Sequence, residues 1–195
     1  MTAFQRAVMC TMAVTCGFEA STRAQAAKEH SPLQQKLKPI AVSTDRIEAL
    51  AYDAGRIKFI VNSDDSGGAC SVVELTEMPG YKTAWHKHHH CEEAFYVLEG
   101  VLTITIDDQT SEFPSGSYIL IPRGTAHAQG NFGTGPVRLL TTFTPGGFDR
   151  FFRDRVDLYK QLKPGEPGFQ EKFDALRAKH QQWVEILGAW SPPKH

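Results

Sequence analysis

No run of 18 apolar residues occurs anywhere in this chain, so a helix that crosses a membrane is excluded. Net charge is almost absent: 21 Lys and Arg stand against 22 Asp and Glu, a formal charge of −1. That balance gives no basic footprint for nucleic acid and no polybasic patch for a membrane surface. Cysteine is scarce, four in 195 residues and scattered, which excludes a disulfide-built scaffold. No internal repeat, low-complexity tract, phosphate-cradling glycine loop or Ser/His/Asp arrangement is recognisable. What is present is 41% hydrophobic and 22% charged residues, in a length that suits one domain with its own core. Histidine breaks the ordinary pattern, because four of the eight fall between His86 and His90.

The N-terminus has a texture of its own. Arg6 precedes a weakly apolar stretch from Ala7 to Phe18, and Ala24-Gln25-Ala26 has the A-x-A spacing of a signal-peptidase site. This layout predicts a signal peptide over residues 1–26, cleavage after Ala26, and export to the periplasm or beyond the cell. Cleavage would remove Cys10 and Cys16 and leave Cys70 and Cys91, whose pairing spacing alone does not decide. Residues 27–55, with Pro32 and Pro39, read as an N-terminal arm.

From Arg56 the chain turns to short runs rich in Val, Ile, Thr, Phe and Tyr, punctuated by Gly, Pro, Asn and Asp. These are Arg56–Val61, Cys70–Met78, Glu93–Leu98, Val101–Asp107, Ser117–Ile121 and Arg138–Phe143. Strands at such spacing with no helix between them predict an all-β antiparallel sandwich or barrel over residues 56–147. After Pro145-Gly146-Gly147 the period becomes helical, and residues 148–195 read as a C-terminal helical extension. Phe148, Phe152 and Val156 repeat at helical spacing, followed by Leu158 and Leu162. A second helix is expected from about Gly168 to Leu187, with Phe169, Phe173, Leu176, Trp183 and Leu187 on one face. Such a stripe could line a pocket; its commoner use is packing against the outside of a β-domain.

Two segments concentrate the chemistry. The first runs from Gly80 to Gly100 and contains His86, His88 and Glu93. In a strand, residues two apart leave the same face with Cα atoms ~7 Å apart, so the two imidazoles can converge on one ion. His89 falls on the opposite face, and His90 falls in the bend before Glu93. The second segment, Gly116 to Asn131, ends a strand in Pro122-Arg123-Gly124 and places His127 just beyond. Three imidazoles and a carboxylate suit Fe, Mn, Co, Ni or Zn and argue against Ca or Mg. Glu92 competes with Glu93 for the carboxylate position.

These segments resemble the two signature motifs of the cupin superfamily, G-x5-H-x-H-x4-E-x6-G and G-x5-P-x-G-x2-H-x3-N. All ten fixed positions are present: Gly80, His86, His88, Glu93, Gly100, Gly116, Pro122, Gly124, His127 and Asn131. Only Glu93 keeps the six-residue spacing to Gly100. The resemblance implies a double-stranded β-helix, or jelly-roll barrel, with one divalent transition metal per chain held inside by His86, His88, Glu93 and His127. The four motif glycines are expected at turns, and Asn131 is expected to hold a turn.

Fold does not dictate function, and three readings follow. The first is a dioxygenase that cleaves an aromatic or enol substrate such as a flavonol. Thr144–Arg153 resembles the segment that closes the barrel in single-domain quercetin dioxygenase-like cupins, where the glutamate matching Glu93 is both ligand and base. The second is an oxalate-handling enzyme of the germin type, which needs a cation near the metal; Arg123 is the only basic residue inside the second motif, and Lys87 is expected to point outward. The third is a non-catalytic, metal-dependent binding protein. Trp85, Phe95, Tyr118, Phe132 and Phe143 are candidates to line a pocket for an aromatic ligand, with core filling as the plainer role. A cupin transcription factor would carry a DNA-binding helix pair before the barrel, and residues 27–55 are too short for one. Pairing of barrel strands would give a homodimer.

Overall fold

The architecture follows from the period-2 alternation of the strand runs. In the computed structural model, which describes residues 37–192, a single 3₁₀ turn at Thr44–Arg46 leads into the barrel. The strands are β1 (Leu50–Tyr52), β2 (Gly55–Val61), β3 (Ser71–Glu77), β4 (Trp85–His88), β5 (Glu92–Glu99) and β6 (Val101–Ile106). They continue as β7 (Gln109–Pro114), β8 (Tyr118–Ile121), β9 (His127–Gly130) and β10 (Val137–Thr144). Two helices follow, α1 (Asp149–Gln161) and α2 (Phe169–Lys179), and then a last strand, β11 (Val184–Gly188). The leader expected in residues 1–26 lies outside the described residues. No described helix is long and apolar enough to cross a membrane.

Two antiparallel sheets face each other. One has the order β1-β2-β3-β10-β5-β8, the other β11-β4-β9-β6-β7. Alternation decides which side chains go inside: in β8, Ile119 and Ile121 are buried while Tyr118 and Leu120 are exposed. In β10, Val137, Leu139, Thr141 and Phe143 all point inward. With Ile57, Val73, Phe95, Val97, Leu102 and Ile104 they form the core, each such side chain contributing about 1.5–3 kcal/mol by leaving water. This is the double-stranded β-helix that the motifs imply. Gly80, Gly100, Gly116 and Gly124 all have left-handed backbones, as expected of turn positions. At Gly100 the turn also lies so close to the chain that a Cβ would meet the Pro136 carbonyl oxygen at 2.6 Å.

All six anticipated strands are present, and the structure adds others. β7 is polar and mostly exposed, with Thr110 its one β-branched residue, so its local strand signal is weak; its pairing with β6 makes it a strand. β1 moves the start of the sheet to Leu50, inside the stretch read as an arm ending at residue 55. The second helix does not reach Leu187. It stops at Lys179, and from Val184 the chain pairs antiparallel with β4. The open edge of β4 supplies hydrogen-bond partners that outweigh local helical spacing, and Val184 and Ile186 then alternate inward as strand residues.

α1 lies against the barrel through Phe151, Phe152, Val156 and Leu158. Phe152 packs edge-on to Tyr52 at 5.3 Å and contacts Phe143 at 5.7 Å. Asp149, buried at the start of α1, accepts hydrogen bonds from the Ser63 backbone N–H and hydroxyl. Tyr159 and Phe169 join α1 to α2.

Candidate metal centre and its cavity

Strand register assembles the cluster. β4 lies between β9 and β11, and His86 stands directly opposite His127. His86 and His88 leave the same inner face of β4, as their spacing requires. Glu93 reaches in from β5, in the facing sheet. One ligand atom from each of His86, His88, Glu93 and His127 lies within 4.8 Å of the others, and all four residues are buried. The four residues read from the motifs therefore converge, and they could hold a metal ion.

Backbone carbonyls fix the imidazoles. Nδ1 of His86 donates to the Ala84 carbonyl at 2.8 Å, Nδ1 of His127 to Thr125 at 3.0 Å, and Nδ1 of His88 to Trp183 at 3.2 Å. A carbonyl only accepts, so each Nδ1 carries a proton, and Nε2 is the ring atom left to face the cluster. Nε2 of His88 and Nε2 of His127 both lie 3.0 Å from Oε2 of Glu93. Without a metal, a proton between nitrogen and oxygen makes these contacts hydrogen bonds, and a divalent ion would take the place of those protons. The donor set therefore fits a borderline divalent ion.

Electrostatics agree. Burial, with the neighbouring His127 and His88, lowers the His86 pKa to about 3, so its ring is neutral at ordinary pH. Burial alone would raise Glu93, but hydrogen bonds and charge from His127 and His88 outweigh it and hold the carboxyl well below its usual range. Glu77, on β3, has the opposite fate. Burial pushes its carboxyl up to about 8, against a weak contact from Gln129 at 3.5 Å and with repulsion from Glu93 adding to the rise.

The remaining motif residues take their expected places. Glu92 turns outward and pairs with Arg123 at 2.6 and 3.0 Å, which leaves Glu93 as the inward carboxylate. Arg123 is thereby outside the cavity. Lys87 and His89 both pair with Glu185 on the outer side of β11, and His90 is exposed. Asn131 donates to the carbonyls of Glu77 and Gly135 and accepts from Gly133, so it holds a turn. Cys70 and Cys91 are both free thiols. Burial, helped by Glu93 and Glu92, pushes the Cys91 thiol up to about 12, where it is a poor nucleophile.

The cluster opens into a cavity of about 200 Å³. Its walls hold His86, His88, Glu93 and Gln129, then Tyr52, Tyr81, Phe148, Phe151, Phe152, Phe173, Val184 and Ile186, with Arg155 and Arg177 among them. None of the five aromatics proposed as pocket lining from the sequence is there. Phe95 and Phe143 are fully buried in the core, Trp85 is half-buried, and Tyr118 and Phe132 are 65% and 47% exposed. The phenylalanines of the wall come instead from the C-terminal extension, and Tyr52 and Tyr81 join them from the barrel side. The stripe of Phe148 and Phe152 was the signal for the extension's part, and these rings serve both packing and lining. What sequence reasoning missed entirely is the role of β11, whose preceding residue Trp183 supplies the carbonyl that orients His88.

Comparison with known proteins agrees with this geometry. Residues 73–143 match the family described as "Cupin domain". An uncharacterized protein of Methanocaldococcus jannaschii is 37% identical over 75 residues, 38% of this chain and 60% of that protein. Quercetin 2,3-dioxygenase of Bacillus subtilis is 27% identical over 111 residues, 56% of this chain and 33% of the dioxygenase. The chain thus spans less than two thirds of the length of these relatives. A solved structure from Thermotoga maritima, described as a predicted oxalate decarboxylase, superposes with a TM-score of 0.51 at 15% identity. It covers 54% of this chain and 98% of that one, a likeness of fold.

Proposed function

As a member of the cupin superfamily, the chain carries a buried His/Glu cluster that could hold a metal, and we propose that it is a dioxygenase cleaving an aromatic or enol substrate with O₂. The observation that carries this reading is the aromatic-walled cavity opening onto the cluster. Similarity to a quercetin 2,3-dioxygenase supports it, as does the position of Phe148, Phe151 and Phe152 in the cavity wall.

His86, His88, Glu93 and His127 would hold one divalent transition ion, which supplies Lewis acidity and open coordination positions for oxygen-bearing reactants. The chain's own groups do the rest. Both imidazole contacts fall on Oε2 of Glu93, which leaves Oε1 to accept a proton from a substrate hydroxyl. Loss of that proton makes the ring or enol electron-rich enough to react with O₂. Phe148, Phe151 and Phe152 orient the flat substrate and keep bulk water away. The leader read in residues 1–26 would place this activity outside the cytoplasm, and N-terminal sequencing of the native protein tests that.

The test is oxygen uptake by protein loaded in turn with Fe, Mn, Co or Ni, across flavonols, catechols and oxalate. Uptake with an aromatic or enol member of that panel is expected, and Glu93→Gln should abolish it. Full activity in Glu93→Gln removes Glu93 as the base. Tight binding of an aromatic acid without any oxygen uptake replaces the enzyme reading with a binding one.

A further inference from the structure

The cavity wall is uneven in charge. Its charged side chains outside the imidazoles are Asp53, Glu93, Lys82, Arg155 and Arg177, two anions against three cations. A divalent ion on the cluster would raise that excess from one positive charge to three. A recess of this sign disfavours a cationic occupant and favours an anion.

Arg155 is the most elaborately held of the three cations. It rises from α1 with its guanidinium 4.9 Å from the ring centre of Tyr52 and 5.1 Å from that of Phe173. One terminal nitrogen donates to the Tyr52 hydroxyl at 3.1 Å, the other to Asp53 at 2.7 Å. Tyr159 is a further polar neighbour of the guanidinium, while its buried Nε has no hydrogen-bond partner among the described residues. The aromatic contacts and Asp53 fix the plane of the fork while leaving Nε unspent, the arrangement suited to a planar carboxylate. Arg177, on α2, lies over the same Phe173 ring at 5.7 Å and has only a loose contact with Asp174 at 3.8 Å.

Size adds a second restriction. An apolar cavity of about 150 Å³ is enough to bind benzene. The 200 Å³ here takes one ring with a few polar substituents, well short of a three-ring flavonol.

We infer that the cavity is built for a single-ring carboxylate whose ring packs on the extension's phenylalanines and whose carboxylate is held by Arg155, with Arg177 assisting. This narrows the substrate class of the proposed dioxygenase and rests on that reading for the placement of the substrate's oxygens at the cluster. Arg155 is in this role a specificity determinant.

The test is binding, measured apart from turnover. Calorimetric titration of metal-loaded protein under nitrogen compares 3,4-dihydroxybenzoate with 3,4-dihydroxybenzamide, which has the same ring and hydroxyls without the charge. Wild-type protein should prefer the acid by at least about tenfold, and Arg155→Gln should remove that preference by weakening the acid far more than the amide. Arg155→Lys, which keeps the charge without the fork, should retain part of it, and Arg177→Gln should lower it by about threefold. Melting temperature and metal content identify any variant that fails to fold, and Arg177→Gln and the wild-type ratio still decide the matter then. Equal binding of acid and amide by wild-type protein overturns the inference. So does an unchanged ratio in a folded Arg155→Gln, which would make Arg155 only a clamp between α1 and Asp53. Acid preference without oxygen uptake leaves the inference standing and removes the dioxygenase; uptake with neutral catechols and no acid preference does the reverse.

Discussion

The barrel strands and the C-terminal extension build one cavity by different rules. On the barrel side, position is set by register: His86 faces His127 across two paired strands, and Glu93 answers from the opposite sheet. A slip of one residue in β4 would turn both histidines outward, so this part tolerates little change. On the extension side, position is set by packing of rings: Phe148, Phe151, Phe152 and Phe173 could be exchanged for other apolar residues without losing the wall. On the proposed reading, the chemistry lies in the rigid part and the choice of substrate in the adaptable one. The two regions share many contacts, and one hydrogen bond among them reaches a cluster imidazole, from His88 Nδ1 to the Trp183 carbonyl.

The sharpest way to break this division is to compare a ligand with its support. His127→Ala removes a fully buried ligand from the barrel side and should lower metal affinity by more than about 100-fold, read as metal content after dialysis. Val184→Pro acts from the extension side. Val184 pairs with His88 in register, and proline there restricts the backbone of Trp183, whose carbonyl holds the His88 ring. Metal affinity should fall by about 10–100-fold, with stability lower by about 1–3 kcal/mol in denaturant melts. If stability falls and metal affinity does not, the extension is a wall alone and the proposed link between the two regions is absent.

This division also explains what was legible in the sequence. Ligands in a sheet are fixed by parity and by the turns that set register, so His86, His88, Glu93 and His127 could be read from spacing, and Gly100 from its turn. The choice between Glu92 and Glu93 needed the distance to Gly100, and the pairing of Glu92 with Arg123 agrees with it. The pocket was not legible in the same way. Trp85, Phe95, Tyr118, Phe132 and Phe143 belong to strands whose inward faces fill the core, whereas the lining depends on how α1 and α2 lie over the barrel. The change from helix to strand after Lys179 depends on an open edge of β4 more than 90 residues away in sequence, which no local pattern records.

A smaller effect sharpens the barrel side. Glu77 has its carboxyl raised to about 8 by burial, with one oxygen unpaired, against a reference of 4.5 in the unfolded chain. Between those values the folded protein keeps a proton that the unfolded chain releases. Stability from this residue is therefore fully present below about pH 4.5 and is lost as pH rises through about 8. Glu77→Gln removes the titrating group and keeps a polar side chain of the same size. In metal-free protein the variant should gain on wild type between pH 5 and pH 8 by a few kcal/mol at most, on the order of 1.4 per pH unit in the steep part, measured by denaturant melts at each pH. A constant difference across that range would place the Glu77 carboxyl at an ordinary value.

The least effect is expected outside the cavity, at Arg123. Its guanidinium makes two contacts with Glu92, and the pair is exposed to 52% and 31%. Arg123 lowers the Glu92 carboxyl through its hydrogen bond and charge, but solvent screens such a pair, and geometry alone does not make it a support of the fold. Arg123→Ala should leave the melting temperature within error of wild type, at low and at high salt, and metal content unchanged. The informative measurement is oxalate binding. An oxalate site of the germin type needs a cation beside the metal; Lys82 of the first motif lies in the cavity wall, and Arg123 is the one basic residue of the second motif. Because Glu92 holds it outside the cavity, the variant should bind oxalate as wild type does. A marked loss of oxalate affinity in Arg123→Ala, with metal content intact, would mean that this arginine swings inward when a dianion binds. The barrel side would then share in choosing the substrate, and the division between a chemical barrel and a selective extension would fail.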